Sequence, residues 1–198
     1  MNRKDQVINF ARHNKIIRPR DIENLGIPRE YLLRLFRKGE LERIGRGLYT
    51  LPGLETTEQV SFTEIAKLVP NAVICLISAL NFHDLTTQLP FEIWIAIERG
   101  RWKPDITYPP INVTHISGES FSHSVETHVI SGVPVKIYNP AKTIADCFKF
   151  RSKVGLDVAV EALRQGWREK KFTMDELWLA SKINRISNVI RPYMEAVT

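Results

Sequence analysis

A chain of 198 residues, 43% of them hydrophobic, can fill the core of one sizeable domain or of a small domain joined to a medium one. Its longest apolar run, "AVICLISAL" at 72–80, falls far short of the roughly 20 residues that cross a bilayer, and the opening "MNRKDQVINFARHNK" has no apolar signal core, so a cytoplasmic protein with no membrane partner is expected. The net charge of +6 resides wholly in residues 1–53, where twelve Lys and Arg face six Asp and Glu, while residues 54–198 carry sixteen of each; a basic module on a neutral body points to a polyanion as the module's partner.

The first fifty residues read as three short helices and a hairpin. A helix over Arg3–Asn14 places Val7, Phe10 and Ala11 on one face. A second starts at Pro19, a favoured first helical position, buries Ile22 and Leu25, and stops at Gly26. After "GIP" a third begins at Pro28 and runs to Lys38 before Gly39; two short helices joined by a Gly-containing turn make the helix-turn-helix pattern. On a helical wheel the third helix gathers Tyr31, Leu32, Leu35 and Phe36 on one side and Arg29, Glu30, Arg34, Arg37 and Lys38 on the other.

The second helix of such a pair enters the major groove, with its N-terminal residues at base edges and its basic end near phosphates. Arg29, Glu30, Leu33, Arg34, Arg37 and Lys38 are therefore the expected DNA contacts, Leu33 either touching a thymine methyl or making a second small core contact. "LERIG" and "LYTLP" read as two strands around Gly45-Arg46-Gly47, where glycine permits a tight turn. A hairpin directly after a recognition helix is a wing: Leu41, Ile44, Tyr49 and Leu51 face the core, and Arg43 and Arg46 reach the DNA backbone or minor groove.

Pro52-Gly53 and the polar "LETTEQ" mark a domain edge, dividing the chain into a winged helix-turn-helix over 1–53 and a second domain over 54–198. In the second domain a helix is expected over 61–69, with Phe62, Ile65, Ala66 and Val69 on one face, and another in "LISALNFHDL". "FEIWIAI" (91–97), "INVTHI" (111–116), "VETHVI" (125–130) and "VPVKIY" (133–138) read as strands, the last two joined by a Ser131-Gly132 hairpin. Helices follow: one capped by Asn139-Pro140 with Ile144 and Phe148 in a stripe, one with Leu156, Ala159, Leu163 and Trp167 in register, and one opened by a Thr173/Glu176 capping box with Phe172 and Leu177 as its staple. Pro192 marks either a kink or a late helix start. The fold class is α+β: an N-terminal winged helix-turn-helix, then a mixed domain with a small β-sheet and a helical C-terminal part.

Catalytic chemistry finds no foothold in this pattern. The sequence contains no phosphate-binding GxxxxGK[ST], no HExxH and no acidic pair at nucleotidyl-transfer spacing, so no catalytic residues, metal or cofactor are assigned. His115, His123 and His128 cluster around the strands without the carboxylate and cysteine pattern of a metal site. Cys75 and Cys147 lie in apolar surroundings and read as buried free thiols. Arg164, Arg168, Lys170 and Lys171 at a helix C-terminus either offset the helix dipole or make auxiliary contacts to DNA or a partner.

Three segments in order, "ERIGRGLYTLP", "AVICLISALNFHDLTTQLP" leading into "EIWIAI", and "VKIYNPAKTIADCFKFRSKVGLDVAVEALR", resemble the AbiEi family, the antitoxins of bacterial AbiE (type IV) toxin-antitoxin pairs. The resemblance implies an N-terminal domain that binds double-stranded operator DNA in the gene's own promoter, with inverted repeats as the expected operator form, and represses transcription. It also implies a C-terminal domain that counters a cognate AbiEii-type nucleotidyltransferase toxin. Two other readings stand beside it: a ligand-responsive winged-helix transcription factor without a toxin partner, and a nuclease-like enzyme, against which the missing acidic constellation argues.

Overall fold

Residues 2–14, 16–45, 47–53, 58–88, 90, 92–106 and 109–197 are described by the computed structural model. The chain divides into two units: Met1–Pro70 with Pro104–Pro110 and Val129–Val135, and Asn71–Lys103 with Ile111–His128 and Lys136–Thr198.

In the first unit α1 (Arg3–Asn14) buries Val7 and Ala11. A two-residue strand, β1 (Ile16–Ile17), follows. α2 (Pro19–Glu23) begins on proline and ends in a reversal at Gly26, whose φ of +73° suits glycine. There the Gly26 amide donates to the Glu23 carbonyl at 2.9 Å and the Ile27 amide to the Ile22 carbonyl at 3.1 Å, the paired bonds of a Schellman cap. The same cap closes α3 (Glu30–Arg37), with the Gly39 amide donating to Phe36 at 2.9 Å and the Glu40 amide to Leu35 at 3.0 Å.

Two expectations change here. Leu25 is 45% exposed, because the reversal at Gly26 sends Ile27, not Leu25, into the core. The third helix starts at Glu30 instead of Pro28: Pro28 and Arg29 form a tighter turn, their carbonyls accepting from the Tyr31 and Leu32 amides at 3.0 and 3.1 Å.

β2 (Glu42–Gly45) and β3 (Leu48–Thr50) form the antiparallel hairpin, pairing Glu42 with Thr50, Arg43 with Tyr49 and Gly45 with Leu48, and the register shifts between Arg43 and Gly45. β1 adds to the other side of β3, Ile16 opposite Thr50 and Ile17 opposite Tyr49, giving the order β1-β3-β2. Val7, Ala11, Ile17, Ile22, Ile27, Leu32, Leu35, Leu41 and Tyr49 close one core; each large apolar side chain among them contributes about 1.5–3 kcal/mol by leaving water. α4 (Glu58–Leu68) buries Phe62 and Ile65, with Ala66 and Val69 half-buried. It is bound to the start of α2: the Arg18 guanidinium donates to the Lys67 carbonyl at 2.5 Å, and the Lys67 ammonium lies 3.7 Å from the Asp21 carboxylate. Linker residues 54–57 lie outside the described residues.

A mixed sheet of β4 (Val73–Ile74), β5 (Ile93–Glu98), β6 (Ile111–Ile116), β7 (Val125–Ile130) and β8 (Val133–Tyr138), in the order β6-β5-β4-β8-β7, is the base of the second unit. Its strands belong to that unit except for residues 129–135, the end of β7, the turn and the start of β8, which fall in the first unit. β4 runs antiparallel to β5 and parallel to β8, and β5 runs parallel to β6 from Ile93 opposite Ile111 to Glu98 opposite Ile116. The apolar run at 72–80 is thus shared between β4 and α5 (Leu76–Phe82), with Leu76 at φ +47° making the change of direction. Strand β5 starts two residues later than expected, and Phe91 lies outside the described residues. Ser131 and Gly132, at φ +47° and +77°, form the β7–β8 turn with positive φ at both central positions.

Helices complete this unit: α6 (Glu119–Ser122), α7 (Pro140–Lys149), α8 (Arg151–Val154), α9 (Leu156–Arg168), α10 (Met174–Ile183) and α11 (Ser187–Glu195). Asn139 caps α7, its side chain accepting from the Lys142 amide at 2.8 Å, and Ile144 and Phe148 are fully buried. α9 buries Ala159 and Leu163, while Leu156 in its first turn is exposed. The capping box of α10 is present: Thr173 Oγ1 accepts from the Glu176 amide at 3.3 Å and the Glu176 carboxylate accepts from the Thr173 amide at 2.7 Å, with Phe172 and Leu177 buried beside it. α11 runs through Pro192.

Candidate nucleic-acid interface

Burial of Leu32 and Leu35 fixes the rotation of α3, and that rotation decides what faces outward. Arg29, Glu30, Leu33, Arg34, Arg37 and Lys38 are all exposed and form one surface on α3 and its two flanks. An α-helix with its side chains is about 10–12 Å across, close to the width of a B-DNA major groove. Leu33 is 38% exposed, so of its two expected roles the core contact is not the one it fills. Tyr31 and Phe36 border this surface: the Arg34 guanidinium carbon stands 5.6 Å from the Tyr31 ring centre, and Phe36, also 38% exposed, meets Tyr49 edge-on at 6.2 Å. Arg29 and Glu30 lie 3.5 Å apart as an exposed pair, an interaction of about 0–1 kcal/mol.

The hairpin follows α3 after a turn held by Lys4, whose ammonium pairs with the Glu40 carboxylate at 2.5 Å. Leu41 and Tyr49 are buried and Leu51 half-buried, and Arg43 is exposed on β2. Arg46 and the side chain of Ile44 lie outside the described residues; neighbouring Gly47 has φ +73°, as a tight turn requires. Not every cation of the basic module is offered outward. Arg18 is spent on fastening α2 to α4, where it meets the Lys67 carbonyl, and Lys4 on Glu40.

Cys75 and Cys147 are free, fully buried thiols whose burial pushes them well above the ordinary thiol range, which leaves them unreactive. Ser78 accepts from the Trp94 amide at 3.0 Å, and His83 Nε2 donates to the Tyr138 carbonyl at 2.7 Å, burial holding this imidazole below its usual value. His128 pairs with Glu126 at 3.0 Å. Among the described residues no group of three or more His, Cys, Asp or Glu is placed to hold a metal ion, and no helix is long and apolar enough to cross a membrane.

One ionic cluster escaped sequence reasoning. Lys142 pairs with Asp146 one helical turn away on α7, and Asn184 donates to the same carboxylate oxygen at 2.8 Å; all three are buried, and the Lys142 ammonium stands 4.5 Å from the Tyr138 ring centre. The spacing of four between Lys142 and Asp146 was readable, but their burial and the arrival of Asn184 from 38 residues away were not.

No curated protein matches the chain. Residues 5–52, running from within α1 to just past β3, match the family described as "Transcriptional regulator, AbiEi antitoxin". That match covers the helix pair and the hairpin, about a quarter of the chain, and it is this segment that is similar to the AbiEi antitoxin regulators.

Proposed function

We propose that this protein is a DNA-binding repressor of its own promoter and an antitoxin against a nucleotidyltransferase-type toxin, without catalytic activity of its own. The observation that carries the first role is the exposed surface of Arg29, Glu30, Leu33, Arg34, Arg37 and Lys38 on the second helix of a helix-turn-helix, followed by a hairpin, inside the segment that matches the regulator family. In this reading α3 lies in the major groove with Arg34 and Arg37 at base edges, and Arg43 and Arg46 of the wing contact the backbone or minor groove. The operator is the gene's own promoter, in inverted repeats matched to two copies of the module. Residues 1–53 carry DNA binding and residues 54–198 carry antitoxicity, in keeping with the neutral charge of that second part.

The two roles are tested together in cells carrying the full-length chain, a promoter reporter and an AbiEii-type nucleotidyltransferase toxin. Arg34→Ala with Arg37→Ala is expected to derepress the reporter and still rescue growth at equal protein levels. Rescue lost along with repression would refute the division of labour, and an unaffected reporter would refute the assignment of α3.

A second reading, a ligand-responsive regulator without a toxin, is favoured by one feature of the second unit. A cleft of about 630 Å³ is lined by Trp167, Phe172 and Met174 together with Arg168, Lys170, Lys171, Thr173 and Glu176; three cations against one carboxylate, itself accepting from the Thr173 amide, suit an aromatic anion. A promoter complex released by a small aromatic acid, in cells lacking any neighbouring toxin gene, would favour this reading over the first.

A further inference from the structure

β5 ends at Glu98 and the chain turns at once. The Arg101 amide donates to the Glu98 carbonyl at 3.2 Å, closing a four-residue turn whose third position is Gly100 at φ +95°, a conformation that glycine supplies. Strand β6 braces this turn from beside it: the Arg99 amide donates to the Ile116 carbonyl at 2.8 Å, and His115 Nε2 lies 3.2 Å from the Arg101 carbonyl. On this anchored base stands Trp102, 94% exposed, the highest exposure of any large hydrophobic side chain among the described residues. Arg99, Arg101 and Lys103 next to it in the chain are also exposed, against two exposed carboxylates, Glu98, which lies 3.8 Å from Arg101, and Asp105.

An indole left in water on a braced turn contributes nothing to the core of the second unit, and three exposed cations lie within three residues of it along the chain. This pairing of a bare aromatic face with neighbouring cations matches the two parts of a nucleotide, a flat base and a charged phosphate. Duplex DNA offers the phosphates but hides the faces of its bases, so the indole finds its counterpart only on an unstacked strand. An acidic peptide would satisfy the cations and leave the ring without a planar partner.

We propose that residues 99–103 form a second nucleic-acid contact, distinct from α3 and the wing, that takes a single strand: Trp102 stacks on a base while Arg99, Arg101 and Lys103 neutralise the flanking phosphates. Stacking is tolerant of base identity, so this contact is sequence-independent.

The test uses the full-length protein and fluorescence anisotropy with a labelled mixed-sequence single strand of about 15 nucleotides, within the site sizes of single-strand binders, beside its duplex. Measurements in the Arg34→Ala, Arg37→Ala background keep the winged helix from dominating. Single-strand binding is expected to persist in that background, to fall on the order of tenfold with Trp102→Ala, and to be largely kept by Trp102→Phe. Replacing Arg99, Arg101 and Lys103 together by Ala should lower the slope of log affinity against log salt by about 2, three contacts at about 0.7 each. Promoter duplex affinity of Trp102→Ala should equal that of the wild type, so a failure here is separable from a failure of α3. No single-strand binding in the double-variant background, or equal binding by Trp102→Ala, overturns the proposal. So does a loop whose substitution abolishes binding to polyglutamate while leaving the oligonucleotide unaffected, since that assigns it to an acidic protein. Trp102 is exposed, and unchanged circular dichroism of its variants excludes misfolding as the cause of any loss.

Discussion

Replacing Asp146 by alanine should be among the most damaging single changes in the second unit. Lys142 is fully buried, and its ammonium has Asp146 as its counter-charge and the Tyr138 ring at 4.5 Å as its other partner. Removing the carboxylate leaves a buried cation facing only that ring and orphans the Asn184 amide that donates to Asp146 at 2.8 Å. Breaking a buried pair from one side costs about 3–5 kcal/mol, a large share of the 5–15 kcal/mol by which a domain is stable. Removing both charges, Lys142→Met with Asp146→Leu, takes away the desolvation cost along with the attraction. That double variant should recover most of the loss, short of full recovery by about 1–3 kcal/mol for the orphaned amide. Urea unfolding of the full chain followed by tryptophan fluorescence isolates the effect, because Trp94, Trp102, Trp167 and Trp178 all belong to the second unit. A loss below about 1 kcal/mol for Asp146→Ala, or a double variant as unstable as the single one, would refute the view that an uncompensated charge is what destabilises.

Glu64 on α4 is buried with neither carboxylate oxygen hydrogen-bonded, and burial raises its pKa from 4.5 to about 7. The folded state therefore holds this proton more tightly than the unfolded one, so stability falls as pH rises from about 4.5 to about 7 and this contribution is flat above. Glu64→Gln should remove that slope and gain up to about 3 kcal/mol over the wild type at pH 8, read by urea unfolding with far-ultraviolet circular dichroism at pH 5 and 8; parallel pH profiles would contradict it. Gly166→Ala puts a methyl 2.7 Å from the Phe172 ring and 3.2 Å from Leu85 Cδ2, so α9 must shift at a cost of about 1–3 kcal/mol, and a melting temperature equal to the wild type would show that the ring yields freely. Thr173→Ala removes the N-cap of α10 and should cost about 1 kcal/mol in the same tryptophan-detected titration, no change meaning that water replaces the cap.

What sequence reasoning could reach follows the range over which each signal acts. α1, the strands β6, β7 and β8 and the Thr173/Glu176 cap rest on residues a few positions apart, and the structure places them where patterning does. The exposed charged side of α3 was legible for the same reason: the buried pair Leu32 and Leu35 sets the rotation, and the charges follow. β1 and β4 were missed because two residues carry no periodicity; what makes them strands is pairing with β3, β5 and β8. Leu25 and Leu156 were assigned to helix stripes, yet both sit at helix ends, where the stripe no longer faces the core. The Lys142, Asp146 and Asn184 cluster depends on α7 meeting residues 38 positions on, and Trp102 is distinguished by its exposure, which composition does not encode.

The affinity of the full-length chain for its own promoter, measured across a range of salt for the wild type and for Arg34→Ala, Arg37→Ala and Arg46→Ala, tests the central claim most directly. The account predicts steep weakening with salt in the wild type and a loss of about 1–3 kcal/mol at defined base positions for whichever of Arg34 and Arg37 reads a base. For Arg46 it predicts an even loss across sequences, with a salt slope reduced by about 1. Promoter affinity unchanged in both α3 variants would contradict the account, because it would leave the exposed basic side of α3 with no part in binding.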